Sequence, residues 1–235
     1  MSIATPPPTA PATGIVARLR ANLAGILVLV IVVGGGIAFL SGGASAADYS
    51  CSSYLTATDT PVGVATPVAD LGRTHVAKGS SITYAYCPPA SGNHWPVPQA
   101  PLAGRVYGLA DAVVPGGYIH NLEHGYIVVL YRGDDAGAAD RLAALQTWYA
   151  SAPTGPYCNL PTSTSLMVAR ADKLPAPVVA LAWDIVYPLE TVDGAALDGF
   201  IAAHGDRGPE PMCNAAAAAA GQSISPDMTS ASPTP

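Results

Sequence analysis

The spacing of apolar residues divides the chain into segments of different kinds. From Ala21 to Ala47 no residue is charged, and the 18 residues Leu23–Leu40 are almost unbroken Leu, Ile, Val, Ala, Gly and Phe. At 1.5 Å per residue a helix of that length reaches about 27 Å, near the ~30 Å hydrocarbon core of a bilayer, so 21–43 is expected to be a single transmembrane helix. Further on, Tyr126–Tyr131 (YIVVLY) is a β-branched and aromatic run suited to a buried central strand. Ser81–Tyr86, Arg105–Leu109, Ser165–Ala169 and Val178–Tyr187 also have strand composition. Ala138–Ala150 places Leu142, Leu145, Trp148 and Tyr149 on one helical face, with Asp134 or Asp135 as a cap. Asp193 reads as the N-cap of a second helix running to His204, with Leu197, Phe200 and Ile201 inward and Gly205 as its stop. This order predicts an α+β fold: a mostly antiparallel sheet with about two helices packed on one face, preceded by one transmembrane helix.

Local composition sets the expected boundaries. Residues 1–20, rich in Pro, Thr and Ala, read as a disordered cytoplasmic tail, and 48–71, with Pro61 and Pro67, as a partly ordered linker. The α+β domain then spans 72–213, about 140 residues and the usual size of one domain. The Ala run and Ser/Pro/Thr end at 214–235 read as a second disordered tail.

Charge adds orientation and compartment. The chain holds 10 Lys+Arg and 16 Asp+Glu, 11% charged in all, against about 25% in an ordinary soluble domain. At 50% hydrophobic it is too apolar to be disordered throughout, and its net charge of -6 argues against a nucleic-acid partner. Arg18 and Arg20 precede the apolar run and Asp48 is the first charge after it. The positive-inside rule therefore expects a single-pass cell-membrane protein, held in lipid by Leu23–Leu40, with its N-terminus cytoplasmic and its C-terminal domain extracytoplasmic. Ala44-Ser45-Ala46 also fits a signal-peptidase site, and cleavage after Ala46 would make the domain secreted. The length of the apolar run favours the uncleaved anchor, and both readings export the rest of the chain.

All four cysteines, Cys51, Cys87, Cys158 and Cys213, lie on the exported side, where an even count favours two disulfides. Of three possible connectivities, Cys51–Cys87 would tie the linker to the domain and Cys158–Cys213 would secure its end. There is no C-x-x-C pair to suggest thiol redox chemistry. The chain also lacks a phosphate loop, a dinucleotide fingerprint and a G-x-S-x-G elbow, so no nucleotide or flavin cofactor is expected.

Four of the five histidines sit among Gly and Pro: His75 (GRTHV), His94 (PPASGNHWP), and His120 with His124 (HNLEHG). Neutral imidazoles converging from rigid loops suit Zn or Cu, particularly when every thiol is paired. Glu123 is a candidate fifth ligand, a partner orienting an imidazole, or a general base. Equally, each histidine could serve only to hydrogen-bond the backbone. His204 at a helix C-terminus is accounted for by the helix dipole. HNLEH also matches H-x-x-E-H, a zinc-hydrolase pattern that requires a helix. Gly116-Gly117 before it and Gly125 after it argue against a full helix there, and the pattern is set aside on that ground.

These segments together resemble domain-of-unknown-function family 3105. The resemblance rests on Gly72–Val76, Tyr84–Pro96 (YAYCPPASGNHWP), Arg105–Gly108, His120–Arg132 (HNLEHGYIVVLYR) and Asp206–Glu210 (DRGPE), and covers 72–210. Its motif positions fall here on His75, Pro88, Pro89, Ser91, Gly92, His94, His120, Leu122, Glu123, His124 and Gly125, with Ala90 departing from the usual Thr. The resemblance implies an extracytoplasmic domain of the bacterial cell envelope behind a single anchor, and names no reaction. The leading expectation is a membrane-anchored extracytoplasmic protein, with no reaction assigned, that carries a His-rich Zn or Cu site at His75, His94, His120, His124 and Glu123. The alternatives are a metal-free interaction module with an envelope protein partner, and a metal-dependent hydrolase using Glu123.

Overall fold

A computed structural model of the chain describes residues 49–78, 80–97, 100–211 and 213. In chain order its strands and helices are β1 Tyr49–Cys51, β2 Thr66–Pro67, β3 Ile82–Tyr84, α1 Pro115–Glu123, β4 Ile127–Tyr131, α2 Ala138–Tyr149, β5 Leu166–Arg170, β6 Val178–Ala182, β7 Ile185–Leu189 and α3 Gly194–His204. Five strands form one sheet in the order β2-β7-β6-β4-β5. Every pairing in it is antiparallel except β4 with β5. A parallel pair needs a crossover, and α2 lies within it. A second, two-stranded sheet pairs β1 and β3 in parallel.

Side chains alternate across a strand, so β4 sends Val128 and Leu130 to one face and Ile127, Val129 and Tyr131 to the other. Tyr118, Ile119 and Leu122 of α1 pack on the first face; Leu145 and Trp148 of α2 pack on the second with Leu197, Phe200 and Ile201 of α3. Burial on both sides is why YIVVLY reads as a continuous apolar run instead of an alternating one.

The α+β class stands, but the described residues hold three α-helices on two faces rather than two on one. The unexpected helix is α1. Its first turn holds Gly116 and Gly117, each about 1 kcal/mol poorer than Ala in a helix. Packing decides the matter: a Cβ at Gly116 would lie 2.9 Å from Trp95 Cε2, and one at Gly117 would lie 2.8 Å from Leu102 Cδ1. Pro115 at the helix start supplies the preset φ.

Other boundaries differ for local reasons. Val178–Tyr187 is a hairpin, β6 and β7, turning at Asp184 with φ 57°. Arg105–Leu109 contributes one bridge, Val106 to Val168, and no strand. The stretch expected as a linker supplies β1 and β2. Asp193 caps α3 by accepting from Ala196 N, whereas Gly137 begins α2 and Asp135 accepts from Gly137 N and pairs with Arg141. Cys51 is bonded to Cys87 and Cys158 to Cys213, the same two pairs expected from the sequence. The apolar segment 21–43 and the tails 1–20 and 214–235 lie outside the described residues. Among the described residues no helix is long and apolar enough to cross a membrane.

The close approach at α1 gives a paired test by urea unfolding. Gly116→Ala is expected to cost about 1–3 kcal/mol through overpacking against Trp95. Gly199→Ala in α3, where nothing lies within 4 Å of the added Cβ, is expected to gain about 0.5–1 kcal/mol.

Candidate metal centre

Helix α1 carries His120 and Glu123, and His124 is its C-cap residue. Positions four apart on a helix stack on one face, which brings the His120 and His124 rings to 4.8 Å between centroids. The helix ends at once because Gly125 has φ 87°; a side chain there would also lie 2.9 Å from the Asp206 backbone. The other two histidines arrive on paired extended segments. Val76 N donates to His94 O and His94 N to Thr74 O, which sets the His75 and His94 rings edge to face at 4.7 Å. Gly92, at φ 127°, turns the chain ahead of His94, and Trp95 N then donates to Gly116 O in the first turn of α1. The two pairs meet: His120 lies 5.0 Å from the His75 ring and 5.1 Å from the His94 ring.

Backbone carbonyls fix the tautomers of three imidazoles. His94 Nδ1 donates to Gly92 O (2.8 Å), His120 Nδ1 to Trp95 O (2.7 Å) and His124 Nδ1 to Glu210 O (2.7 Å). A carbonyl only accepts, so Nδ1 carries a proton, and in the neutral form of each ring it is the Nε2 lone pair that turns toward the centre. There the acceptors crowd. His120 Nε2 and His124 Nε2 lie 2.9 Å apart, and Glu123 Oε2 lies 3.0 Å from His94 Nε2 and 3.5 Å from His75 Nε2. His94, His120 and Glu123 are buried, whereas His124 is partly buried and the His75 side chain is 46% exposed. Facing acceptors of this kind are costly unless a cation sits among them. Burial, above all, holds His120 below the ordinary histidine range; neighbouring His124 and His94 add to this, while the bond to Trp95 O and the Glu123 charge oppose it. A proton on His120 is therefore disfavoured.

The donor set fits a metal. The ligand atoms of His75, His94 and His120 lie within 4.8 Å of one another, as do those of His120, Glu123 and His124. Ligand atoms bonded at about 2.0–2.1 Å to one tetrahedral ion stand about 3.3–3.4 Å from one another, so closing either group takes movements of up to about 1.4 Å. Imidazole nitrogen with carboxylate oxygen is the donor chemistry of Zn and Cu.

The five expected site residues thus fall into two overlapping groups that share His120, and His204 lies elsewhere, its ring against Phe200. It corrects the ground on which H-x-x-E-H was set aside, since His120–Glu123 is helical and both imidazoles of the pattern face the same point. The orienting carbonyls of Gly92, Trp95 and Glu210 were not foreseen, because a backbone acceptor leaves no mark on residue type. Glu210 had one signal in the DRGPE segment. That segment is bound to the end of α1 by Asp206 N to Gly125 O and Glu210 N to Glu123 O.

The chain belongs to the family described as protein of unknown function, DUF3105, whose model matches residues 75–217 and so contains all five site residues. No curated protein and no solved structure matches the chain.

The facing acceptors give a prediction of unusual sign. Glu123→Gln replaces a carboxylate by an amide able to donate to His94 Nε2. In metal-free buffer the substitution is expected to stabilise the fold by about 1–3 kcal/mol in thermal unfolding while weakening metal binding. Destabilisation in metal-free buffer would mean that a buried proton already joins the pair.

Proposed function

We propose that the domain is a metal-binding module that holds Zn(II) or Cu(II) through His94, His120 and His124, with His75 and Glu123 completing the set. The observation that carries this is the inward convergence of Nε2 atoms whose Nδ1 protons are committed to backbone carbonyls. Such outer contacts are the usual means of orienting metal-bound imidazoles. Burial keeps His120 neutral and its lone pair available. When bound, the metal would supply Lewis acidity to whatever reached it.

Placement outside the cell, behind a membrane anchor with the N-terminus inside, belongs to the same proposal. It is supported by the uncharged run 21–47, by Arg18 and Arg20 before it, and by the pairing of all four cysteines in disulfides.

A second reading, metal-dependent hydrolysis with Glu123 as general base, is favoured by one observation: His120, Glu123 and His124 share one helix end and meet within 4.8 Å. What supports a ligand or orienting role for Glu123 instead is its burial beside His94. In the hydrolase reading Glu123→Gln keeps the metal and abolishes turnover. A third reading takes the cluster as a metal-free polar core of an envelope interaction module, supported by the same three bonds to backbone carbonyls.

The purified full-length protein is expected to retain close to one Zn or Cu per chain after dialysis, measured by elemental analysis. Metal at about 100 times its Kd should raise stability by about 2.7 kcal/mol. His94→Ala should abolish that gain. An equal loss of stability for His94→Ala with and without metal would favour the purely structural module.

A further inference from the structure

The five site residues are not equivalent, and their differences point outward in one direction. His94 is fully buried and held by Gly92 O, His120 by Trp95 O and His124 by Glu210 O. His75 has a side chain 46% exposed, and among the described residues its Nδ1 has no hydrogen-bond partner. Its Nε2 is 3.5 Å from Glu123 Oε2, farther than the 3.0 Å of His94. Among the described residues the His75 backbone is tied only at its flanks, by the two bonds joining Thr74 and Val76 to His94. One imidazole therefore reaches the centre from the solvent side with its ring unfixed.

A basic group lies close to His75 in sequence. Arg73, two residues before His75, approaches Glu210 at 3.7 Å, with both side chains more than half exposed (55% and 53%). Glu210 is the residue whose carbonyl orients His124. The pair thus links the His75 segment to the segment behind His124. An exposed ion pair of this length holds with no more than about 1 kcal/mol, so the guanidinium is free to turn to another anion.

We infer that His75 is a displaceable ligand, and that the metal centre has one solvent-facing coordination position that accepts a small monodentate anion attracted by Arg73. This rests on the metal-binding reading above and gives that site a ligand class. The three anchored imidazoles and Glu123 keep the metal; the position that His75 occupies exchanges. Closed structural zinc sites lack such a position, and sites that act on an incoming ligand have one. Loss of an unanchored, exposed ligand speeds release without removing the site, whereas anchored ligands are the ones whose support is worth 10–100-fold in affinity.

The test uses the full-length chain loaded with Co(II), whose ligand-field absorption reports coordination, titrated with azide, and then stripped with EDTA. Azide is expected to change the spectrum saturably in the unsubstituted protein. His75→Ala should still bind one Co(II) per chain, release it to EDTA about tenfold faster or more, and take azide more tightly. Arg73→Gln should weaken azide several-fold with Co(II) content and EDTA release unchanged, a pattern that a merely structural role of Arg73 would not produce. The inference is overturned if Co(II) binds but its spectrum is silent to azide, or if His75→Ala loses Co(II) as completely as His94→Ala does. Failure of the unsubstituted chain to bind Co(II), Zn or Cu at all overturns the metal reading itself, and is distinguished by metal content alone.

Discussion

The arrangement at the centre of this domain is set by three N–H to carbonyl bonds. Because Gly92, Trp95 and Glu210 each present a carbonyl to an imidazole Nδ1, the proton of each neutral ring is committed outward and its lone pair inward. Glu123 adds a carboxylate at the same point. The outcome is a buried cluster of acceptors facing one another, which is costly unless a cation sits among them. Much of the surrounding structure acts to hold the three carbonyls in place.

That holding uses elements far apart in sequence. The five-stranded sheet fixes β4, and the turn at Gly125 fixes α1 against its first face. Trp95 closes on the first turn of α1, where Gly116 leaves room for its ring. The segment 206–210 closes on the last turn of α1, and the Cys158–Cys213 bond secures the chain just beyond it. A centre built on a strand, a helix end and two clamped loops can hold ligand positions to within a few tenths of an ångström, as metal binding demands.

Much of this was legible in the sequence because it depends on residue type. YIVVLY announced the central strand, Asp193 the start of α3, and four histidines among Gly and Pro the site. What could not be read was governed by contacts between distant residues. Gly116 and Gly117 look like helix breakers, and become helical because Trp95 and Leu102 fill the space their side chains would occupy. Helix α1 then reaches the sheet face opposite α2 and α3, which turned an expected two-layer packing into three layers. The orienting carbonyls carry no side-chain signature. The unequal exposure of His75 and His94, neighbours across a single bridge, is likewise set by folding and not by local sequence.

The central claim is that the inward Nε2 atoms bind a metal. X-ray absorption on the Zn-loaded or Cu-loaded full-length protein tests it most directly, because it counts the atoms bonded to the metal. The account predicts nearest neighbours of nitrogen and oxygen at about 2.0–2.1 Å, with the outer-shell scattering pattern of at least three imidazoles and no sulfur. A chain that retains no metal after dialysis, or a spectrum that shows fewer than two imidazoles, would contradict it.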